Sequence, residues 1–218
     1  MKTEGLDGFG FLAGTHKEVE FSDTLIELMS FRPLKLCSFQ NFLGYKPQAS
    51  ERTDSVLLSL FEQLADCFEN LQQQPLTMRQ SLGDLHEQFM EYQHPGGIYL
   101  TWAWLVDTYF YTWPATEGLK ATMEKLGQIE KLYPACPSVE IAMHVQVGVF
   151  GGNFLLQTSE QGLVEQVNTV EFLLQESNSP DFIERARCYL RLYYISRGDF
   201  DLAMRVSCKN LGASEITQ

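Results

Sequence analysis

The sequence predicts an all-α chain of stacked antiparallel helix pairs, preceded by a short irregular arm. Three observations carry that expectation. From about residue 54 onward, apolar residues recur every three or four positions, the signature of helices with one buried stripe. Proline and glycine fall between these stripes, where they end helices. The chain has 218 residues and 44% apolar content, enough to close a core.

Leu57, Leu60, Leu64, Phe68 and Leu71 make the first stripe, with Asp54, Glu62, Asp66 and Glu69 largely off it and Gln74-Pro75 closing it. Met78, Leu82, Leu85, Phe89 and Tyr92 make the second, expected to stop at His94-Pro95-Gly96-Gly97. The third helix, from Ile98 to about Trp113, is apolar nearly all round and is expected to be the most buried element. Pro114 is expected to open the fourth, whose stripe is Leu119, Met123, Leu126, Ile129 and Tyr133, because a proline early in a helix lacks only an N–H that would be unpaired there. Pro137 is expected to open the fifth in the same way, over Ser138 to Leu156. Val145, Val147 and Val149 alternate there like a strand, but Ala142, Val145, Val149 and Leu156 keep helical spacing, and Gly148, Gly151 and Gly152 would permit close helix approach. Thr158 and Gln161 have the spacing of a capping box ahead of Leu163, Val167, Val170 and Leu174. Ser179-Pro180-Asp181 starts a seventh helix containing Ile183, Ala186, Leu190 and Tyr194.

Residues 1–50 read differently. Glycines are mixed with Phe9, Phe11, Phe21, Phe31, Phe39 and Phe42, and Ser22 to Phe31 is the one short helical candidate. The expected domains are therefore an aromatic-rich arm over 1–50 and a helical repeat domain over 51–218. The chain stops inside what reads as the second helix of a pair, without a polar capping helix, so truncation at the C-terminal end is expected.

The net charge of −12 opposes phosphate neutralisation and repels anionic membrane surfaces, so no direct nucleic-acid binding and no membrane partner are expected. The longest apolar run, opening at Ile98, meets Asp107 well short of the roughly 20 residues that span a bilayer. The first residues lack the basic start and apolar core of a signal peptide, which points to a cytoplasmic address. Cys37, Cys67, Cys136, Cys188 and Cys208 are odd in number and form no CxxC pair, so they read as reduced, mostly buried thiols.

Tyr194, then Gly198-Asp199-Phe200, then Ala203 resemble the middle of a tetratricopeptide repeat. Glycine supplies a left-handed turn, the aromatic is expected to plug the gap between two helices, and alanine lets them approach. Arg187, Arg191 and Ser207 depart from the family's preferred types. Tyr109 and Gly118 echo the Tyr194 to Ala203 spacing, with Trp113-Pro114 in place of the glycine turn. The two tyrosines are far enough apart for two repeats of about 40 residues, longer than the ordinary repeat of about 34. Such a long-helix version resembles the helical sensor arms of large bacterial signal-transduction ATPases and transcriptional regulators. That resemblance implies a non-catalytic module for protein contact or ligand sensing, regulatory within a larger protein, with no cofactor.

The chemistry-bearing residues point the same way. Glu91-x-x-His94 has di-iron spacing but no second copy, and His94 reads as an imidazole at a helix C-terminus. Asp84, His86 and Glu87 read as a solvated face; no metal site is expected. Gly148-x-x-Gly151-Gly152 follows no convincing strand, so it is weak as a nucleotide loop. The aromatic belt Tyr99, Trp102, Trp104, Tyr109, Phe110, Tyr111 and Trp113 reads either as core or as a pocket. Candidate contact residues for a protein, a peptide or a small-molecule signal are Trp102, Tyr109, Tyr189, Tyr193, Arg187 and Arg191, with Arg185, Arg187 and Arg191 forming a basic strip that would suit an acidic peptide. The rival expectation is an all-α enzyme with a buried aromatic pocket, with Glu140 and His144 on one helix face as acid and base.

Overall fold

The structure, a computed structural model, describes residues 51–208. The expected aromatic arm over 1–50, Cys37, His16 and the residues after 208 lie outside the described residues. The described residues form eight α-helices and no strand: α1 Glu51–Asn70, α2 Pro75–Glu91, α3 Pro95–Tyr111, α4 Leu119–Leu132, α5 Val139–Leu155, α6 Glu160–Glu176, α7 Pro180–Ser196 and α8 Phe200–Cys208. The segment with alternating valines is helical: its apolar residues serve two cores on opposite sides of α5, a demand that the helical period meets as well as a strand's.

Each helix packs on the next, and in addition α3 packs on α5 and α5 on α7. The result is four antiparallel pairs whose odd-numbered helices form an inner row. Two apolar cores share α5. Ile141, Val145 and Leu155 join the core built by α1 to α4, whereas Met143, Val147 and Phe150 join that of α6, α7 and α8. A helix with a core on either side has no polar face to show, which accounts for the composition of α5. The most buried element is α3, whose apolar residues all enter the first core and in which only Pro95, Phe110 and Tyr111 escape full burial.

Three helix ends share one backbone device. After α2, α5 and α7 the chain turns through a left-handed residue, Gln93 (φ 51°), Gln157 (φ 52°) and Gly198 (φ 79°) respectively. At α7 the Gly198 N–H donates to the Ile195 carbonyl and the Asp199 N–H to the Tyr194 carbonyl. The same two bonds recur at α2 (Gln93 to Met90, His94 to Phe89) and at α5 (Gln157 to Phe154, Thr158 to Asn153). These are Schellman turns, and they satisfy carbonyls that a helix end leaves without partners.

Several expected boundaries are corrected. Pro95 does not lie beyond a break but is the first residue of α3, because His94 caps that helix and accepts from the Gly97 N–H at 3.1 Å. Gly97 is required there, since a Cβ would fall 2.2 Å from the Phe89 ring. Pro114 does not open α4; it lies in the connection, and the helix starts at Leu119 after Gly118. Ser138, not Pro137, caps α5 by accepting from the Ile141 N–H. The Thr158–Gln161 capping box is absent: α6 starts at Glu160, and the Thr158 N–H closes the α5 turn instead. Phe200 does not plug the gap between α7 and α8, being 44% exposed, whereas Ala203 is buried as the close approach requires. No described helix is long and apolar enough to cross a membrane.

Candidate functional site

Of the aromatic belt, Tyr99, Trp102, Trp104 and Tyr109 are buried in the first core, Phe110 and Tyr111 are half-buried, and Trp113 is exposed. The polar ends of Trp102 and Tyr99 are used inside the fold, whereas the buried Trp104 Nε1–H has no hydrogen-bond partner among the described residues. The Trp102 Nε1–H donates to the Thr122 carbonyl at 2.7 Å, and the Tyr99 hydroxyl donates to the Tyr133 carbonyl at 2.7 Å. Tyr109 lies under the Arg79 guanidinium, 3.7 Å from its ring centroid. Arg79 in turn donates from Nε to Thr108 Oγ1 and from Nη2 to the Thr108 carbonyl and Thr112 Oγ1, placing a cation at the C-terminal end of α3 where the helix dipole favours one. Tyr189 and Tyr193 lie in the second core rather than lining a surface.

The basic strip expected on α7 is divided. Arg185 is not a surface charge: it is buried and forms a bidentate pair with Asp107 of α3, Nε to Oδ2 at 2.6 Å and Nη2 to Oδ1 at 2.9 Å. It also donates to the carbonyls of Ala103 on α3 and His144 on α5. Tyr189, one turn along α7, donates its hydroxyl to Asp107 Oδ1 at 2.8 Å. Asp107 is thus met by three donors and Arg185 by four acceptors, the condition under which burial of an ion pair is tolerated. Arg187 is only 6% exposed, with one long contact of 3.4 Å to Glu184, and Arg191 is half-buried.

Glycines on α5 make room for this cluster. A Cβ at Gly148 would lie 3.0 Å from the Trp102 ring and 3.4 Å from Arg185 Nη2, and one at Gly151 would lie 2.4 Å from the Tyr189 ring. Their role is thus to pass side chains between helices. The third glycine, Gly152, receives Met123 of α4 in the same way.

Burial lowers the pKa of each of the three described histidines, His86, His94 and His144. His144 is buried against Phe182, and burial, reinforced by the Arg185 charge, lowers its pKa to about 3. Glu140, one turn earlier, is exposed, so the two do not share a site. His86 is buried, not part of a solvated face as Asp84 and Glu87 are. His86 Nδ1 and Thr101 Oγ1 lie within hydrogen-bond distance at 2.9 Å, and the Thr101 hydroxyl also reaches the Gly97 carbonyl at 2.7 Å. Burial lowers the His86 pKa to about 4. The His94 pKa is also lowered by burial, as suits its role as an acceptor at the α3 cap, not a charged imidazole at the end of α2. Among the described residues no group of three His, Cys, Asp or Glu is placed to hold a metal ion. Cys67, Cys136 and Cys188 are free thiols, and burial pushes Cys188 up to about 12, which makes it unreactive at neutral pH.

Apolar side chains reach solvent along much of the described chain, with Leu58, Leu76, Tyr92, Trp113, Leu132 and Val139 exposed ahead of α6. Among the described residues α6 exposes Val164 and Phe172, and α8 exposes Phe200, Leu202 and Met204. Phe172 is 61% and Met204 54% exposed. The helix α6 also carries Glu160, Glu165, Glu171 and Glu176 with no lysine or arginine. Its buried stripe, Leu163, Val167 and Val170, is satisfied by the second core, so Val164 and Phe172 are not needed to hold the helix in place. No sequence feature beyond their departure from the apolar stripe singled these residues out. Compared with family models, curated proteins and solved structures, the chain matches none.

Proposed function

We propose that this chain is a non-catalytic contact module of the tetratricopeptide kind, regulatory within a larger signalling protein, that engages a protein partner through the outward sides of α6 and α8. The observation that carries the reading is the exposure of Val164 and Phe172 on α6 and of Leu202 and Met204 on α8. Exposed Glu165 and Glu176 of α6 favour a partner segment that combines apolar side chains with lysine or arginine, while Glu160 and Glu171 are engaged by Arg197 and Tyr194. The pairwise stacking of helices and the left-handed turn at Gly198 support the repeat assignment, while the inward placement of Asp107, His144, Arg185 and Tyr189 leaves them serving the fold.

The test is a pair of substitutions, Phe172→Asp with Met204→Asp, made in the full chain. Both side chains are exposed, so stability should shift by no more than about 0.5 kcal/mol per site. A photo-crosslinker at position 172 should trap a partner that one at Gln128, exposed on α4, does not, and the double substitution should abolish its co-purification. Equal trapping at 128, or undiminished co-purification, would refute the reading.

A further inference from the structure

In a linear stack of helix pairs each pair touches only its neighbours, so the terminal pair can open by itself. This chain has a connection that skips a neighbour. Helix α5 lies between α3 and α7, packing on both. Yet Arg185 and Tyr189 of α7 cross it to reach Asp107 of α3, in sequence 78 and 82 residues away. Their passage is cleared at Gly148 and Gly151, whose spacing of three matches the one-turn step from Arg185 to Tyr189 on the next helix. The half-buried rings of Phe110 and Phe154 pack against both apolar cores, and Phe110 of α3 meets the Tyr189 ring of α7 edge-on at 5.1 Å. The Asp107 cluster is the polar link across that seam.

We infer that Asp107, Arg185 and Tyr189 form a lock that couples the opening of α7 and α8 to that of α3, so that the helical array opens as one body instead of fraying from its last pair. Withdrawing α7 strips Asp107 of all three donors and leaves a carboxylate in a low-dielectric interior, a penalty that opening an apolar contact does not carry. The same lock holds the register of α7, and so the placement of the α8 side chains, relative to α3. A partner bound at α8 would therefore act on the whole array. The lock itself does not depend on what that partner is.

Residue-resolved native-state hydrogen exchange of the full chain across a denaturant series tests this. In the unmodified protein, the slowest amides of α3 and α7 should converge on one opening transition. In the double variant Asp107→Leu with Arg185→Met, which removes both charges and leaves neither buried alone, the opening of α7 should become at least about tenfold more frequent than that of α3. Tyr189→Phe removes one hydrogen bond and nothing else, and should separate the two by a smaller factor, about threefold or more. Independent opening of α7 in the unmodified protein overturns the lock. So does a single shared transition in the variants.

Discussion

Arg185 of α7 and Asp107 of α3 form a bidentate ion pair that threads past the bare backbone of Gly148 on the helix between them. Both partners are almost fully buried, so their separate and joint removal should have very different effects on stability. Arg185→Met alone strands the carboxylate and should cost about 3–5 kcal/mol, while adding Asp107→Leu should recover most of that loss. Chemical denaturation of the four members of the cycle measures both terms. A double variant as unstable as Arg185→Met would mean that packing, not charge, governs the site.

The glycines should divide by what surrounds them. Gly151→Ala would drive a methyl group to 2.4 Å from the Tyr189 ring and should destabilise by about 1–3 kcal/mol. Gly83 in α2 and Gly127 in α4 meet nothing within 4 Å, so alanine there should stabilise by about 0.5–1 kcal/mol through helix propensity. Melting temperatures of the three single variants give opposite signs if the helices pack as described.

The three Schellman turns allow a matched comparison. Gln93 and Gln157 hold the left-handed conformation with a side chain, whereas Gly198 holds it without one. Gln93→Gly and Gln157→Gly should each stabilise by about 1 kcal/mol, and Gly198→Val should destabilise by at least that amount. Unchanged unfolding midpoints in all three would rule out left-handed turns at these positions.

Acid should unfold the protein through its histidines. The pKa values of His86 and His144 fall to about 4 and about 3 in the folded state. Below about pH 6.5 the unfolded chain therefore binds protons that the folded chain refuses, and stability declines as pH falls towards 4, by up to about 1.4 kcal/mol per pH unit for each histidine. His94, lowered in the same direction, adds to the slope. Unfolding free energies measured between pH 7 and pH 5 should fall more gently in His86→Gln. A slope unchanged by that substitution would show that His86 is not buried in its neutral form.

Much of the fold is legible in the sequence because helix periodicity and chain breaks are local. The stripes of α1, α2, α4, α6 and α7, the burial of α3 and the left-handed turn at Gly198 follow from side-chain spacing and backbone freedom within a few residues. The errors at the ends have a shared cause. His94 follows the α2 stripe and Thr158 precedes the α6 stripe, but the one caps the helix that follows and the other closes the helix before it, a choice that depends on how the two helices meet.

The sequence by itself determined that the described chain is helical, where most helices lie and which faces are apolar, since these depend on interactions within a turn or two. The tertiary structure alone decided that Trp102, Tyr109, Tyr189 and Tyr193 belong to the interior, that Arg185 leaves the basic strip to join Asp107, and that Glu140 and His144 part company. Periodicity tells that a face is buried but not against what. The partner of a buried charge is set by which helices cross and by the two α5 glycines that let side chains pass, and those are relations between residues 78 and 82 positions apart.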